Sequence, residues 1–279
     1  MNKFEIKKID DIISYIPGTE HPLSSDIGII KGAERTYLFD VGSSLAALDF
    51  LYTLPKNTVI ILSHFHYDHT RWLTGHCPGE DGMLPQECIS SDAVSDRMLP
   101  QERISPDAVS DGMLPQELIS SDAVSDGSIS SGSVSFGSIP YKPIPAETVY
   151  TGSHVGHYTP KATLVTGRIT IHDGVKLDII PLRSSHARGS LALMVNDDFL
   201  FLGDATYPCL GKEKEPDYYN VQLLKDQIEQ LRSLPATRCG LSHDRVFVRP
   251  MNVVLRQLEG AYNNRDPRSP YIKLTSPMQ

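Results

Sequence analysis

The sequence predicts an α/β domain built in layers, and three observations carry that prediction. Short apolar segments of strand length recur along the chain, two C-terminal segments place apolar residues at helical spacing, and the order runs strands, helix, strands, helix, strand, helix. An all-β sandwich would lack the helices in that order. With 279 residues, 40% of them hydrophobic, the chain can bury a sizeable core.

The elements follow in order. "DIGIIKG" (26–32) and "RTYLFDVG" (35–42) read as strands, "SLAALDFLYTL" (44–54) as a small helix, and "TVIILS" (58–63) as a buried strand. Strand text resumes at residue 148 with "TVYTG", "ATLVTGRITIHDG", "VKLDIIPL", "SLALMV" and "DFLFLGD". Residues 218–234 read as a helix with Val221, Leu224, Ile228 and Leu231 on one face, and the charged "EKEPDYY" before it reads as its solvated start. "TRCGLS" is one more strand, and a last helix begins at Pro250, where a first-turn proline is tolerated.

Between the two strand-rich parts the character changes. "MLPQECISSDAVSDR" (83–97) returns as "MLPQERISPDAVSDG" (98–112) and "MLPQELISSDAVSDG" (113–127), followed by the Ser/Gly-rich "SISSGSVSFGS". Each 15-residue unit has few apolar residues, an internal proline and many Ser and Asp, so it offers no face on which a solenoid would stack. Residues 77–139 are therefore expected to be a disordered insert in a single domain spanning 1–279, because so little apolar surface cannot offset the entropy of ordering it.

The insert also explains the charge. Residues 81–127 hold ten acids against Arg97 and Arg103, and that excess equals the whole net charge of −8. The remainder is close to neutral, so bulk charge gives no argument for a nucleic-acid or membrane surface, although a local basic patch can still form on folding; the partner expected is a small-molecule substrate. Cys77, Cys88, Cys209 and Cys239 form no CxxC pair, and neither "MNKFEIKKIDD" nor any later run has the apolar length of a signal or a membrane span. A cytoplasmic setting is expected.

Directly after "TVIILS" comes "HFHYDHT", which brings His64, His66, Asp68 and His69 off one strand end. Alternate positions of an extended segment project to one side, so His64 and His66 can share one cation while Asp68 and His69 approach a second. Two or three donors per cation do not make a tight site, so further ligands are expected at other strand ends. His186 in "PLRSSHARGS", Asp204 in "DFLFLGDATY" and His243 in "RCGLSHDRV" each sit where a strand stops. Singly, each would read as a turn residue or a cap; together they read as ligands.

These motifs resemble those of the metallo-β-lactamase superfamily: HxHxDH at 64–69, "SSHARGS", "LGDATY", "LSHDR" and, as an early Asp-x-Gly support, Asp40 in "LFDVG". The resemblance implies a four-layer αββα sandwich. It further implies that His64, His66 and His186 hold a first metal, that Asp68, His69 and His243 hold a second, and that Asp204 bridges them. Some 117 positions separate His69 from His186, and removing the 63 residues of 77–139 leaves 54, a spacing that compact members accommodate. Arg71 stands where the family usually has Gly and is expected to reshape the following loop or face substrate; "SSHARGS" lacks the common Pro-Gly before its His. His69, in place of the differing metal loop of Cys-ligated β-lactam-cleaving members, argues against antibiotic hydrolysis. His154 and His157 match no ligand position.

The implied function is a binuclear metallo-hydrolase. Two divalent ions, zinc in the first instance with iron or manganese also accepted by an all-N/O donor set, acidify a shared water to a hydroxide that Asp68 orients onto an ester, thioester or lactone. Tyr67 and Tyr207 adjoin ligands and are candidates for protonating the leaving group. The alternatives are a phosphodiesterase or ribonuclease of the same superfamily, a redox diiron protein, and a metal- or partner-binding protein whose site the insert covers.

Overall fold

The computed structural model describes residues 4–74, 143–157, 159, 161–211 and 215–274. The 77–139 insert, its three repeats, Cys77 and Cys88 lie outside the described residues. The described residues of 4–74 and 144–274 belong to one compact unit; a second, Ile89–Pro143, is described only at Pro143.

The first part of the fold comprises β1 (Lys7–Lys8), β2 (Ile13–Ile16), the small hairpin of β3 (Thr19–Glu20) and β4 (Leu23–Ser24), β5 (Ile27–Lys31), β6 (Thr36–Phe39), α1 (Leu45–Leu51), β7 (Thr58–Ile61), α2 (Tyr67–Thr74), β8 (Thr148–Thr151) and β9 (Thr163–Leu164). The second comprises β10 (Ile169–His172), β11 (Lys176–Pro181), β12 (Leu191–Val195), β13 (Phe199–Gly203), β14 (Tyr218–Asn220), α3 (Val221–Arg232), β15 (Arg238–Leu241), β16 (Val248–Pro250), α4 (Met251–Asn263) and β17 (Tyr271–Lys273). One sheet has the order β1-β2-β5-β6-β7-β8-β9 and the other β10-β11-β12-β13-β15-β16. Pairing is parallel from β6 to β9 and between β13 and β15, and antiparallel elsewhere in the two sheets. Parallel neighbours need a crossover. Helices α1, α2 and α3 lie in the β6–β7, β7–β8 and β13–β15 connections.

Alternation along the strands then builds the layers. Tyr37, Phe39, Val59 and Ile61 of the first sheet meet Ile179, Leu193, Phe199 and Phe201 of the second in one core. The residues between them, Leu38, Ile60 and Leu62, face Ala47, Leu48 and Leu51 of α1 and Trp72 of α2. On the far side, Met194, Leu200 and Leu202 pack under Leu224, Ile228 and Leu231 of α3 and Val254 and Leu258 of α4. The result is an αββα sandwich whose central strands are buried on both faces, which is why β7, β12 and β13 read as unbroken apolar runs. Among the described residues no helix is long and apolar enough to cross a membrane.

Two boundaries differ from the sequence reading. Residues 218–220 are not the start of a helix: they form β14, paired with β17, because Tyr219 is buried at 2% exposure and the Asn220 side chain caps α3 by accepting from the Gln222 and Leu223 N–H groups. The described part of "EKEPDYY", residues 215–219, therefore leads into a strand. Pro250 likewise stands just before α4, as its N-cap.

One polar staple ties the sheets together. Asp173, in the β10–β11 turn, accepts the Ala33 N–H on its carbonyl (2.7 Å), and on its carboxylate the N–H groups of Glu34 (2.8 Å) and Arg35 (2.9 Å) and the Tyr37 hydroxyl (3.0 Å). A Cβ on Gly32 would lie 2.3 Å from that carboxylate, so the approach requires glycine there. Burial raises the Asp173 pKa, but these donors outweigh it and hold it below the usual 3.8, while burial and the same contact push Tyr37 up to about 12. A depressed carboxylate stabilises the fold above its unfolded pKa and loses that contribution on acidification. Asp173→Ala is expected to cost about 1–3 kcal/mol at neutral pH by stranding its donors. In urea unfolding, the gap between wild type and variant should narrow as pH falls below 3.8.

Candidate metal centre

The centre forms where strands of both sheets end. His64 follows β7 after Ser63, Asp204 follows β13, His243 follows β15, and His186 lies in the loop before β12. The HFHYDH segment follows the end of β7 and bends at Phe65; α2 begins at Tyr67 and carries Asp68 and His69 in its first turn. The Leu191 N–H donates to the Ser63 carbonyl (2.7 Å) and the Ser242 N–H to the Gly203 carbonyl (3.2 Å), so the strand ends are fastened to one another.

The seven residues converge as two clusters with one shared member. His64, His66, His186 and Asp204 offer donor atoms all within 4.8 Å of one another, and so do Asp68, His69, Asp204 and His243. His186 Nε2 lies 3.1 Å from His66 Nδ1, close to the roughly 3.3 Å between two nitrogens on a tetrahedral zinc ion. Asp204 Oδ2 is 3.5 Å from His186 Nε2, 3.3 Å from His69 Nε2 and 3.7 Å from His243 Nε2. Three of the atoms facing inward, His64 Nε2, His69 Nε2 and Asp204 Oδ1, are buried without a hydrogen-bond partner. Groups of this kind cost free energy unless something compensates them, and a cation would do so.

Supporting contacts aim the rings. His186 Nδ1 donates to the Pro208 carbonyl (3.0 Å) and His69 Nδ1 to Asp40 Oδ2 (2.7 Å), which fixes both rings with Nε2 turned toward Asp204. Asp40 Oδ1 accepts the Ser63 N–H (2.7 Å), so one carboxylate braces both ends of the motif. The Ser184 hydroxyl accepts the His186 N–H (3.0 Å) and donates to the Ala205 carbonyl (2.7 Å), where buried Gln227 also donates (2.6 Å). Asp26 accepts the His243 N–H (3.2 Å), with burial raising its pKa.

The clusters differ electrostatically. Burial, followed by the neighbouring imidazoles, pushes His64 well below its usual range and His66 to about 3, and burial also lowers His186. These rings stay neutral and keep their lone pairs. In the other cluster burial opposes charge on His69, but Asp68, Asp204 and Asp40 more than offset it and raise its pKa well above normal; His243 is raised against burial by its 2.8 Å bond to Asp68 and by Asp204. Burial would raise Asp68 and Asp204, yet the adjacent histidines hold both below the usual carboxylate range.

A sequence profile described as the metallo-beta-lactamase superfamily matches residues 22–75, which include Asp40 and the whole HFHYDH motif. Solved structures extend the likeness over the chain. A metallo-β-lactamase from Pontibacter korlensis superposes with a TM-score of 0.52 at 14% identity, covering 94% of this chain and 100% of that one. This is a metallo-β-lactamase-fold protein. A flavoprotein from Thermotoga maritima (TM-score 0.54, 11% identity) covers 96% of this chain with 63% of its own, and a peroxy diiron species of the chemotaxis sensor ODP (TM-score 0.50, 12% identity) covers 92% with 94% of its own. No curated protein matches by sequence. At these identities the likeness establishes the metallo-β-lactamase fold.

Other candidates fare differently within this fold. Arg71 donates to the Ser43 carbonyl (3.1 Å) and lies over the rings of Trp72 (4.4 Å) and Tyr67 (5.1 Å), so it ties the first turns of α2 to the residue before the α1 cap. Tyr207 donates to the Ser242 carbonyl (2.6 Å), and burial with the charge of Asp204 pushes its pKa upward, which makes it a poor proton donor. The His154 ring sits 5.3 Å from Phe65, beside the motif. Residues 152 and 189 bring its loop against the His186 loop, where a Cβ on Gly152 would lie 1.7 Å from the Gly189 carbonyl oxygen. Ser184, Gln227 and Asp26 escape sequence reasoning because their roles are hydrogen bonds to backbone; only Ser184, two residues before His186, carries a local signal.

Gly203, one residue before Asp204, has φ +55, and a Cβ there would lie 3.0 Å from both Cβ and Oγ of Ser63. Gly203→Ala is expected to cost about 1–3 kcal/mol through left-handed strain and crowding. Denaturant unfolding of the variant checks this, and zinc uptake should weaken in parallel because Ser63 precedes His64.

Proposed function

We propose that this chain is a metal-dependent hydrolase that cleaves an ester, thioester or lactone bond of a small molecule at a centre of two divalent cations. The observation that carries the reading is the pair of donor clusters joined at Asp204, with His64 Nε2, His69 Nε2 and Asp204 Oδ1 buried and without hydrogen-bond partners. His64, His66 and His186 would hold one ion, Asp68, His69 and His243 the other, and Asp204 would serve both. Five imidazoles and two carboxylates suit zinc and also accept iron or manganese. Such a pair of ions supplies an acidified water and polarisation of the oxygen that gains charge.

The chain's own groups do the rest. Asp68, held ionised by His69 and His243, accepts a hydrogen bond from the attacking water and orients it. His69, His64 and His186 are held through Asp40, Ser63 and Pro208 respectively, so these three rings need no rearrangement on reaction. With Tyr207 committed to Ser242, protonation of the leaving group falls to Tyr67 or to solvent water. The flavoprotein and the peroxy diiron sensor among the structural neighbours make iron the competing metal, and elemental analysis decides between iron and zinc.

Purified protein is expected to contain two divalent ions per chain, to lose turnover of activated esters, thioesters or lactones with a chelator, and to regain it with zinc. Asp68→Ala should reduce turnover roughly 10²- to 10⁴-fold. His66→Ala should lose turnover together with one ion; lost turnover at unchanged metal content would contradict the assignment. Phosphodiesters belong in the same panel, and preferential cleavage there would move the substrate class.

A further inference from the structure

We propose that Asp26 is the positioning residue of the second cation site, acting through the backbone of His243, and that it thereby sets whether the centre holds one ion or two. The inference rests on reading the seven clustered residues as ligands.

His243 is the ligand most in need of such a restraint. Its backbone has φ +61, a region that residues with a side chain seldom occupy. Its side chain is 22% exposed, against 13% for Asp68, 7% for Asp204 and none for His69, so packing restrains it least. Yet its Nε2 must reach to 2.8 Å from Asp68 Oδ2 and 3.7 Å from Asp204 Oδ2. Asp26, a residue only 8% exposed, supplies the restraint by accepting the His243 N–H on Oδ2 at 3.2 Å.

The restraint is itself anchored. Asp26 Oδ1 accepts the Gly18 N–H (3.1 Å), and a Cβ on Gly18 would lie 2.3 Å from the Ser24 carbonyl oxygen, so the β2–β5 connection folds tightly back on Asp26. From the same connection the Ser25 N–H donates to the Asp68 carbonyl (3.0 Å). This one segment therefore grips two ligands of the second cluster. The first cluster is held by other groups, with Ser63 on His64 and with Ser184 and Pro208 on His186. Losing Asp26 should loosen one site and spare the other.

Both oxygens of Asp26 act as acceptors of backbone N–H groups, which separates the two informative variants. Asp26→Ala removes both bonds, whereas Asp26→Asn keeps one acceptor and turns an amide N–H₂ toward the other N–H. The experiment is a Zn²⁺ titration against a chromophoric chelator for wild type, Asp26→Ala and Asp26→Asn, with circular dichroism as the check on folding. His243→Ala marks which binding step belongs to the second site. Wild type should bind in two steps; in Asp26→Ala the step missing from His243→Ala should weaken roughly ten- to a hundredfold, with the other step within about twofold of wild type. Asp26→Asn should show the same selective loss to a smaller extent, and it carries the comparison if the alanine variant does not fold. Equal weakening of both steps, or of neither, overturns the proposal. A wild type that takes up fewer than two ions overturns instead the ligand reading on which it rests.

Discussion

A single buried carboxylate imposes the constraint on which the site depends. Asp40 is fully buried, adopts φ +65, and accepts the Ser63 N–H and the His69 Nδ1–H at 2.7 Å each. A left-handed backbone at a non-glycine residue costs of order 1–3 kcal/mol. Each hydrogen bond to a charged acceptor contributes about 1.5–3 kcal/mol, so the two together outweigh that strain. The conformation is kept because it ties the end of β7 to the first turn of α2. Without that tie, His64 and His69 would leave the strand on independent trajectories.

The sandwich turns this local tie into a centre. Parallel pairs β6–β7 and β13–β15 deliver their C-terminal ends to one region, and Leu191 and Ser242 stitch those ends across and along the sheets. Ala205 is fastened from two sides, by Ser184 and by Gln227 of α3, so Asp204 is placed by the outer helix layer as well as by its own strand. Packing on both faces of the central strands makes their ends rigid. Rigidity matters because five imidazoles and two carboxylates brought this close repel or hydrogen-bond one another unless geometry holds them for a cation.

Much of this was legible in the text of the chain, and the reasons are physical. Strands buried on both faces must be continuously apolar, so β7, β12 and β13 declare themselves, and a ligand at the end of such a run is easily seen. The HFHYDH segment is dense in donors and local in sequence. The boundary of α3 was misread because Tyr218–Asn220 fit a helical pattern and only their pairing with β17, far along the chain, makes them a strand. The departure at Arg71 is legible as a residue change, but its contacts with the Ser43 carbonyl and the rings of Trp72 and Tyr67 appear only in the fold. Asp26, Ser184 and Gln227 were invisible because a backbone amide as partner leaves no mark in residue type.

The donors are divided along the chain. His64, His66, Asp68 and His69 precede residue 75, and His186, Asp204 and His243 follow residue 142. Neither portion alone owns a complete coordination sphere. On the ligand assignment proposed above, a chain cut between these two portions would keep its ions only while the two fragments remained associated, and ion retention would serve as a reporter of complementation between halves.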